Sequence, residues 1–330
     1  MTRALRGTEA LLLAPLPSVP ATRRLMSKRL ADHVHGFLLW LEHALARSPS
    51  TVRGYGEDVR MFVAFCNRSG LEYVDQVTFH HVEAFGAALR AHLGQQETSI
   101  NRRYSALRKF FFYLERHDLV GKNPAKLALT MKTPPRKPPE YMTKTERNKI
   151  LKVLSGRDSR RGRRNYAMFS LMFLAGLRES EVCHLTVADV DREGRALYIR
   201  DGKGRKDRRV PIPPKLCRIL RGWITTTRTR CFGADSPWLF LHVGPSRRYD
   251  GQPLNPKAIW HQVRNQIVPI LGRKVSPHTF RHSYITHIYE ESGDLRLAQH
   301  LAGHENIKTT AIYAHVTPRK ERERLAEYLK

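Results

Sequence analysis

The sequence predicts a mainly α-helical protein with a small antiparallel β-sheet, divided into a helical N-terminal domain and an α+β C-terminal domain. Three observations carry this prediction: apolar residues recur at three- and four-residue steps over most of the chain, two short strand-like segments flank a glycine-containing turn, and one proline-rich stretch interrupts both patterns. At 330 residues, 41% hydrophobic and 27% charged, the chain has enough apolar material for two cores.

The elements follow in order. Residues 1–26 combine early arginines with a short apolar run, Ala10 to Leu16, but Pro15, Pro17 and Pro20 make a flexible leader a better reading than a targeting peptide. Met26 is a candidate start. Residues 27–126 are expected to form a four-helix domain. Its first helix, Ser27 to Leu45, carries Leu30, Val34, Phe37, Leu38 and Leu41 on one face. A second helix begins after Ser48-Pro49-Ser50, with either serine as cap, buries Tyr55, Val59, Phe62, Val63 and Cys66, and stops before Gly70. Thr78 to Leu93 gives a third. The fourth, Thr98 to Glu115, has Ile100, Tyr104, Leu107, Phe111 and Leu114 as its buried stripe, with Arg102, Arg103, Arg108 and Lys109 read as a basic face off that stripe.

Residues 127–142 read as a linker, because Pro134, Pro135, Pro138 and Pro139 favour an extended path. The second domain, residues 143–330, opens with the capping box Thr143-Lys144-Thr145-Glu146. An apolar helix is expected over Asn165–Gly176. Ala196 to Arg200 and Arg209 to Ile212, with Asp201-Gly202-Lys203-Gly204 between them, predict a hairpin. Asn255-Pro256 caps a helix that buries Ile259, Val263 and Ile267 and leaves Lys257 and Arg264 outside. From His278 onward the pattern is helical, with breaks at Gly293, Gly303 and Pro318.

The charge balance narrows the partner. Lys and Arg number 58 against 30 Asp and Glu, a formal net charge of +28, which is the electrostatic footprint of a protein that meets phosphate backbones. An anionic membrane surface is the alternative that composition leaves open; a membrane span is not expected, because the best apolar run is far short of ~20 residues. Cys66, Cys183, Cys217 and Cys231 are widely spaced and form no C-x-x-C pair, as expected of reduced intracellular thiols.

Five blocks then stand in a fixed order: Ala175-Gly176-Leu177-Arg178-Glu179-Ser180-Glu181, Gly202-Lys203-Gly204-Arg205-Lys206, His278-Thr279-Phe280-Arg281-His282, Leu301-Ala302-Gly303-His304, and Tyr313 nine residues on. Together they resemble the tyrosine recombinases, the phage integrase and Xer-like family, with a helical core-binding domain ahead of a catalytic domain. The resemblance runs from about Ser27 to the C-terminus. It implies that Tyr313 attacks a DNA phosphate, that Arg178 and Arg281 clamp the phosphate oxygens, that His278 accepts the tyrosine proton, that Lys203 protonates the leaving 5′ oxygen, and that His304 braces the pocket.

The chemistry needs these residue types. A phosphodiester under attack gathers negative charge on its non-bridging oxygens, which a metal-free site offsets with the rigid forks of arginine. A phenol with an ordinary pKa near ~10 is a weak nucleophile unless its proton is accepted or its anion stabilised. The resemblance implies a transesterification that needs no nucleotide, metal or other cofactor, consistent with the absence of a G-x-x-x-x-G-K-[ST] pattern and of a convincing carboxylate cluster. A zinc reading of His278/His282 and His300/His304, each four apart, lacks an H-E-x-x-H and nearby cysteines.

Arg102, Arg103, Arg108, Lys109, Arg205, Lys206, Lys257 and Arg264 are the DNA-binding candidates. The run Arg205, Lys206, Arg208, Arg209 by itself reads as solvated charge, and Glu179 and Glu181 as surface or fold-bracing groups. The expected partner is double-stranded DNA with paired half-sites, held by two basic domains closing as a clamp. The resemblance further implies a homotetramer on DNA joined through the tail from Pro318 to Lys330, with a second recombinase or accessory protein as a further partner, in the cytoplasm at the nucleoid. Competing readings are a type IB topoisomerase and a catalytically silent DNA-binding protein. The short tail after Tyr313, the Leu-Ala-Gly-His block and the linker favour recombination over the topoisomerase, and the filled motif positions argue against a silent protein.

Overall fold

Ser48 opens the longest N-terminal helix by accepting a hydrogen bond from the Thr51 backbone N–H at 3.3 Å, with Pro49 at the first helical position. This computed structural model describes residues 29–128, 130–133, 139–200, 207–232, 236–243, 250–303 and 329. The chain divides into two compact units, Met1–Pro135 and Arg136–Lys330. In the first, a 3₁₀ turn (Leu30–Asp32) leads into α1 (His33–Leu39), which widens into a π-helical turn (Trp40–Ala44). Then come α2 (Pro49–Arg68), α3 (Phe79–Leu93) and α4 (Glu97–Arg116). The stripes predicted from spacing meet in an aromatic core. Phe62 lies edge-on to Phe85 at 5.2 Å and to Phe111 at 5.9 Å, the arrangement ring quadrupoles favour.

The basic face of α4 differs from expectation at Arg103. Arg103 is only 8% exposed, and its Nε lies 3.6 Å from Asp58 Oδ1 of α2, while Nη1 donates to the Ser99 carbonyl. The reason is angular: at about 100° per residue, position 103 falls inside the arc from Phe110 to Leu114, on the buried side. The chain after α4 also stays docked longer than the sequence suggested. The Asn101 side-chain amide pairs with the Met131 backbone in both directions, at 2.9 and 2.8 Å, and Ala128 is buried.

In the second unit Thr143 and Glu146 form the predicted capping box, each side chain accepting from the other's backbone N–H, at 3.1 and 2.8 Å. It starts α5 (Lys144–Ser155). The apolar helix α6 (Arg160–Ala175) begins earlier than Asn165 because Ser159 caps it through the Gly162 N–H. It is followed by α7 (Glu179–His184) and a three-stranded antiparallel sheet in the order β1 (Val190–Asp191), β2 (Ala196–Ile199), β3 (Arg208–Pro211). The β2–β3 hairpin was foreseen; the two-residue β1 is too short for alternation to reveal. Register pairs Ala196 with Pro211 and Ile199 with Arg208.

After the sheet, α8 (Pro214–Gly222) runs through a π turn into α9 (Thr229–Phe232), and α10 (Pro256–Gln262) does the same into α11 (Val268–Leu271). Ile259, Val263 and Ile267 are all fully buried, as predicted. Strict four-residue steps drift by about 40° per step on an α-helix, and the π turn Val263–Ile267 takes up that drift. Last come α12 (Pro277–Ser292) and α13 (Leu295–Ala302), ended by Gly293 and Gly303. Pro318, Leu325 and the rest of the expected tail through residue 328 lie outside the described residues. Among the described residues no helix is long and apolar enough to cross a membrane.

His287, buried in α12, faces Tyr141 edge-on at 6.2 Å, and its Nε2 finds no partner. Burial, aided by the Arg147 and Lys144 charges, pushes it down to about 4. The unfolded chain therefore binds a proton that the native state refuses, and this contribution to stability is present above pH ~6.5 and is lost as pH falls toward 4. His287→Gln should lose roughly 2–3 kcal/mol less stability than the parent between pH 7 and 4.5. Urea midpoints at the two pH values measure it.

Candidate active site

Four segments that are far apart in sequence converge around three arginines. Gly176 ends α6 in the left-handed region at φ 63°, and a Cβ there would sit 2.2 Å from Tyr284 Cδ1, so only glycine lets the chain turn this closely against α12. Leu177 is buried, and Arg178 becomes the extended cap residue of α7.

The Glu181 carboxylate reaches back to this cap. It accepts four hydrogen bonds: from the Arg178 backbone N–H and Nη1, both at 2.8 Å, and from Arg208 Nη1 and Nη2, both at 2.9 Å. Glu181 is 8% exposed. Burial on its own would raise the carboxyl, but the hydrogen bonds and charge of Arg208, joined by those of Arg178, outweigh burial and hold it below the ordinary range. Glu181 is therefore an anion set between two cations, as sequence reasoning allowed in calling it fold-bracing. Arg208 is not the solvated charge the run of basic residues suggested.

Arg281 of α12 is 4% exposed and links two helix ends. Its Nη1 donates to the Gly176 carbonyl at 2.9 Å and its Nη2 to the Ala302 carbonyl. Both acceptors are C-terminal carbonyls with no intrahelical partner, at the negative ends of α6 and α13, where a guanidinium is favoured. Gly303, at φ 66°, then passes so close to Arg208 that a Cβ would meet its Nε at 2.7 Å. Thus the turn before His304 is fixed against the same arginine that braces Arg178.

His278, at the start of α12, is well exposed, with Nε2 3.6 Å from Glu179 Oε1. Its ring lies 6.4 Å from that of His282, which burial, His278 and Arg281 together push down to about 4. Arg178, His278 and Arg281 are thus brought to one region. Lys203, Arg205 and Lys206, between the paired ends of β2 and β3, lie outside the described residues, as do His304 and Tyr313. Among the described residues no group of three metal-ligating side chains occurs.

The DNA-binding candidates separate. Lys257 and Arg264 are exposed on α10 and its π turn, flanking Trp260, which is 51% exposed and was missed. A tryptophan off the Ile259, Val263 and Ile267 stripe, three residues from one cation and four from the other, was a usable signal. In the first unit Arg102 is half exposed and held by Asp58 Oδ1 at 2.8 Å. Arg108 and Lys109 line an open depression of about 440 Å³ with Tyr55, Phe112 and Lys126, and Lys109 sits over the Phe112 ring at 5.6 Å.

Known proteins resemble the chain over most of its length. The sequence pattern of the Phage integrase family matches residues 140–320, and that of the Phage integrase N-terminal SAM-like domain matches residues 34–118. A tyrosine recombinase XerC from Halalkalibacterium halodurans is 35% identical over 292 residues, covering 86% of this chain and 92% of its own length. A tyrosine recombinase XerA from Thermococcus onnurineus is 34% identical over 274 residues, covering 82% and 86%. The fold is shared with an XerH site-specific recombinase bound to a palindromic difH substrate (TM-score 0.70, 18% identity, 91% of this chain and 85% of that one). It is shared too with a Tn1549 transposon integrase in complex with circular intermediate DNA (TM-score 0.67, 19% identity, 91% and 100%).

The chain is thus an enzyme that acts on DNA, breaking and rejoining strands by site-specific recombination through a covalent tyrosine intermediate. It belongs to the Phage integrase family, whose Xer tyrosine recombinases are the relatives matched over most of its length.

Gly176→Ala should cost ~2 kcal/mol or more, since it adds left-handed strain to a clash with the Tyr284 ring. Denaturant unfolding of the full chain reads the loss, and an unchanged midpoint would show that the turn tolerates a side chain.

Proposed function

We propose that Tyr313 is the nucleophile and that Arg178, Lys203, His278, Arg281 and His304 serve it. The observation that carries this reading is the convergence of Arg178, Arg281 and the Ala302-Gly303 turn, through the Gly176 and Ala302 carbonyls, onto one locus. The tyrosine oxygen attacks phosphorus and forms a 3′-phosphotyrosine while the bond to the 5′ oxygen breaks. His278 takes the phenol proton, and Lys203 gives one to the departing 5′ oxygen. Arg178 and Arg281 offset the charge gathering on the non-bridging oxygens. A 5′ hydroxyl from a partner duplex reverses the step, so the phosphodiester energy is conserved in the phosphotyrosine. His304 would donate a hydrogen bond to a phosphate oxygen.

The substrate on this reading is a duplex with two half-sites about one helical turn apart, matching a symmetric pair of subunits. Arg102, Arg108, Lys109, Arg205 and Lys206 contact phosphates, and Lys257 and Arg264 reach base edges in a groove. Arg103 is withdrawn from the contact set by its burial against Asp58. Four subunits joined through the segment from Pro318 make the synapse, with a second recombinase or accessory protein as a further partner. The work is done at the nucleoid.

Tyr313→Phe should abolish the covalent adduct on a nicked suicide duplex; adduct that survives the change sinks the assignment. Lys203→Ala should slow cleavage far less on a 5′-thio linkage, whose leaving group needs no proton, and equal loss on both substrates counts against Lys203 as acid. Because a chain of net charge +28 displaces many counterions, its affinity for random duplex should fall by orders of magnitude from 50 to 200 mM salt, ~10³-fold or more if six or more phosphates are neutralised. A nearly flat titration contradicts the two-domain grip.

A further inference from the structure

The structure assigns Arg208 a role outside the residue set above: we infer that it is the positioning residue that keeps Arg178 aimed and keeps Glu181 from cancelling its charge. The inference rests on the reading that Arg178 clamps the scissile phosphate. Two observations carry it independently. The first is the bidentate grip of Arg208 on Glu181, at 2.9 Å for both bonds, which fixes the plane of the carboxylate that in turn holds Arg178. The second is Gly303: its missing Cβ makes room for the Arg208 Nε and Cδ, which would otherwise lie 2.7 and 2.9 Å from it.

The electrostatics explain why one carboxylate is served by two guanidinium groups. A buried Glu181 paired with Arg178 alone would neutralise it and so cancel the field the phosphate needs. With Arg208 added, two cations share one anion and the cluster stays net positive beside the developing charge. Arg208 also ties three segments together. Its backbone is paired with Ile199 at the open end of the strand pair leading to Lys203, its guanidinium holds the start of α7, and its stem packs on the turn that leads to His304. Removing it should therefore misplace Arg178 without touching substrate, as loss of an outer-shell partner does at other sites.

The test uses the full chain and a suicide duplex captured covalently by the parent protein from a randomised pool, made with either a phosphodiester or a neutral methylphosphonate at the cleaved position. Arg208→Ala should slow adduct formation ~10- to 100-fold on the phosphodiester, the scale of outer-shell losses. On the methylphosphonate, which lacks one anionic oxygen and asks less of the clamp, the loss should shrink at least threefold, to within about a few-fold of the parent. Arg208→Lys, which keeps the stem and the charge but cannot grip both oxygens, should fall between parent and alanine variant on the phosphodiester, and it decides the matter if the alanine variant does not fold. Equal losses on the two substrates, or full activity of both variants, overturns the role. A parent chain that forms no Tyr313-dependent adduct overturns the underlying reading; a normal parent adduct with unaffected Arg208 variants overturns this inference alone.

Discussion

A carboxylate withdrawn from water stays ionised only where cations and hydrogen bonds replace its hydration, and Glu181 is the point at which this chain meets that condition. Its two oxygens accept from the Arg178 cap and from Arg208, so one buried anion fixes the first turn of α7, the start of β3 and the direction of Arg178. Such a group makes a stiff joint. Neither arginine can swing away without leaving the carboxylate buried and under-paired, which costs several kcal/mol. Stiffness of this kind suits a site that must present charge to a transition state without rearranging at the moment of reaction.

Arg281 solves a related problem with backbone acceptors. The C-termini of α6 and α13 point carbonyls at one place, and a single guanidinium satisfies one from each. The glycines at both ends are what allow the approach: Gly176 packs against Tyr284, and Gly303 against Arg208. The geometry of this region is therefore written in small residues and helix ends as much as in charged side chains. The two units also differ in how they use arginine. In the first, Asp58 buries one cation, Arg103, and holds another, Arg102, at the surface. In the second, Glu181 and the helix ends hold theirs at the candidate active site.

Much of this was legible in the residues themselves. Apolar spacing placed α1, α2 and α4, and cap chemistry at Ser48, Thr143 and Asn255 fixed three helix starts. Each is a local rule in which a side chain acts within a few positions of itself. What failed was less local. Arg103 was read as exposed because arginine is usually exposed, although its angle on the helix already put it inside. Arg208 was read as solvated because nothing near it in sequence is its partner; Glu181 lies 27 residues away. Trp260 is expected inside as an aromatic residue, although its place off the Ile259 and Val263 stripe already turns it out.

The sequence by itself determined the helical class, the basic partner surface, and the order of motifs from Arg178 to Tyr313 that marks the family, because these depend on periodicity, composition and residue identity along the chain. The tertiary structure decided which arginines are buried ties and which stay exposed, since that turns on who sits across from whom. Asp58 opposite Arg103, Glu181 between Arg178 and Arg208, and two helix ends facing Arg281 are meetings of distant segments. A charged side chain has no fixed role until folding sets its partner and its distance from water.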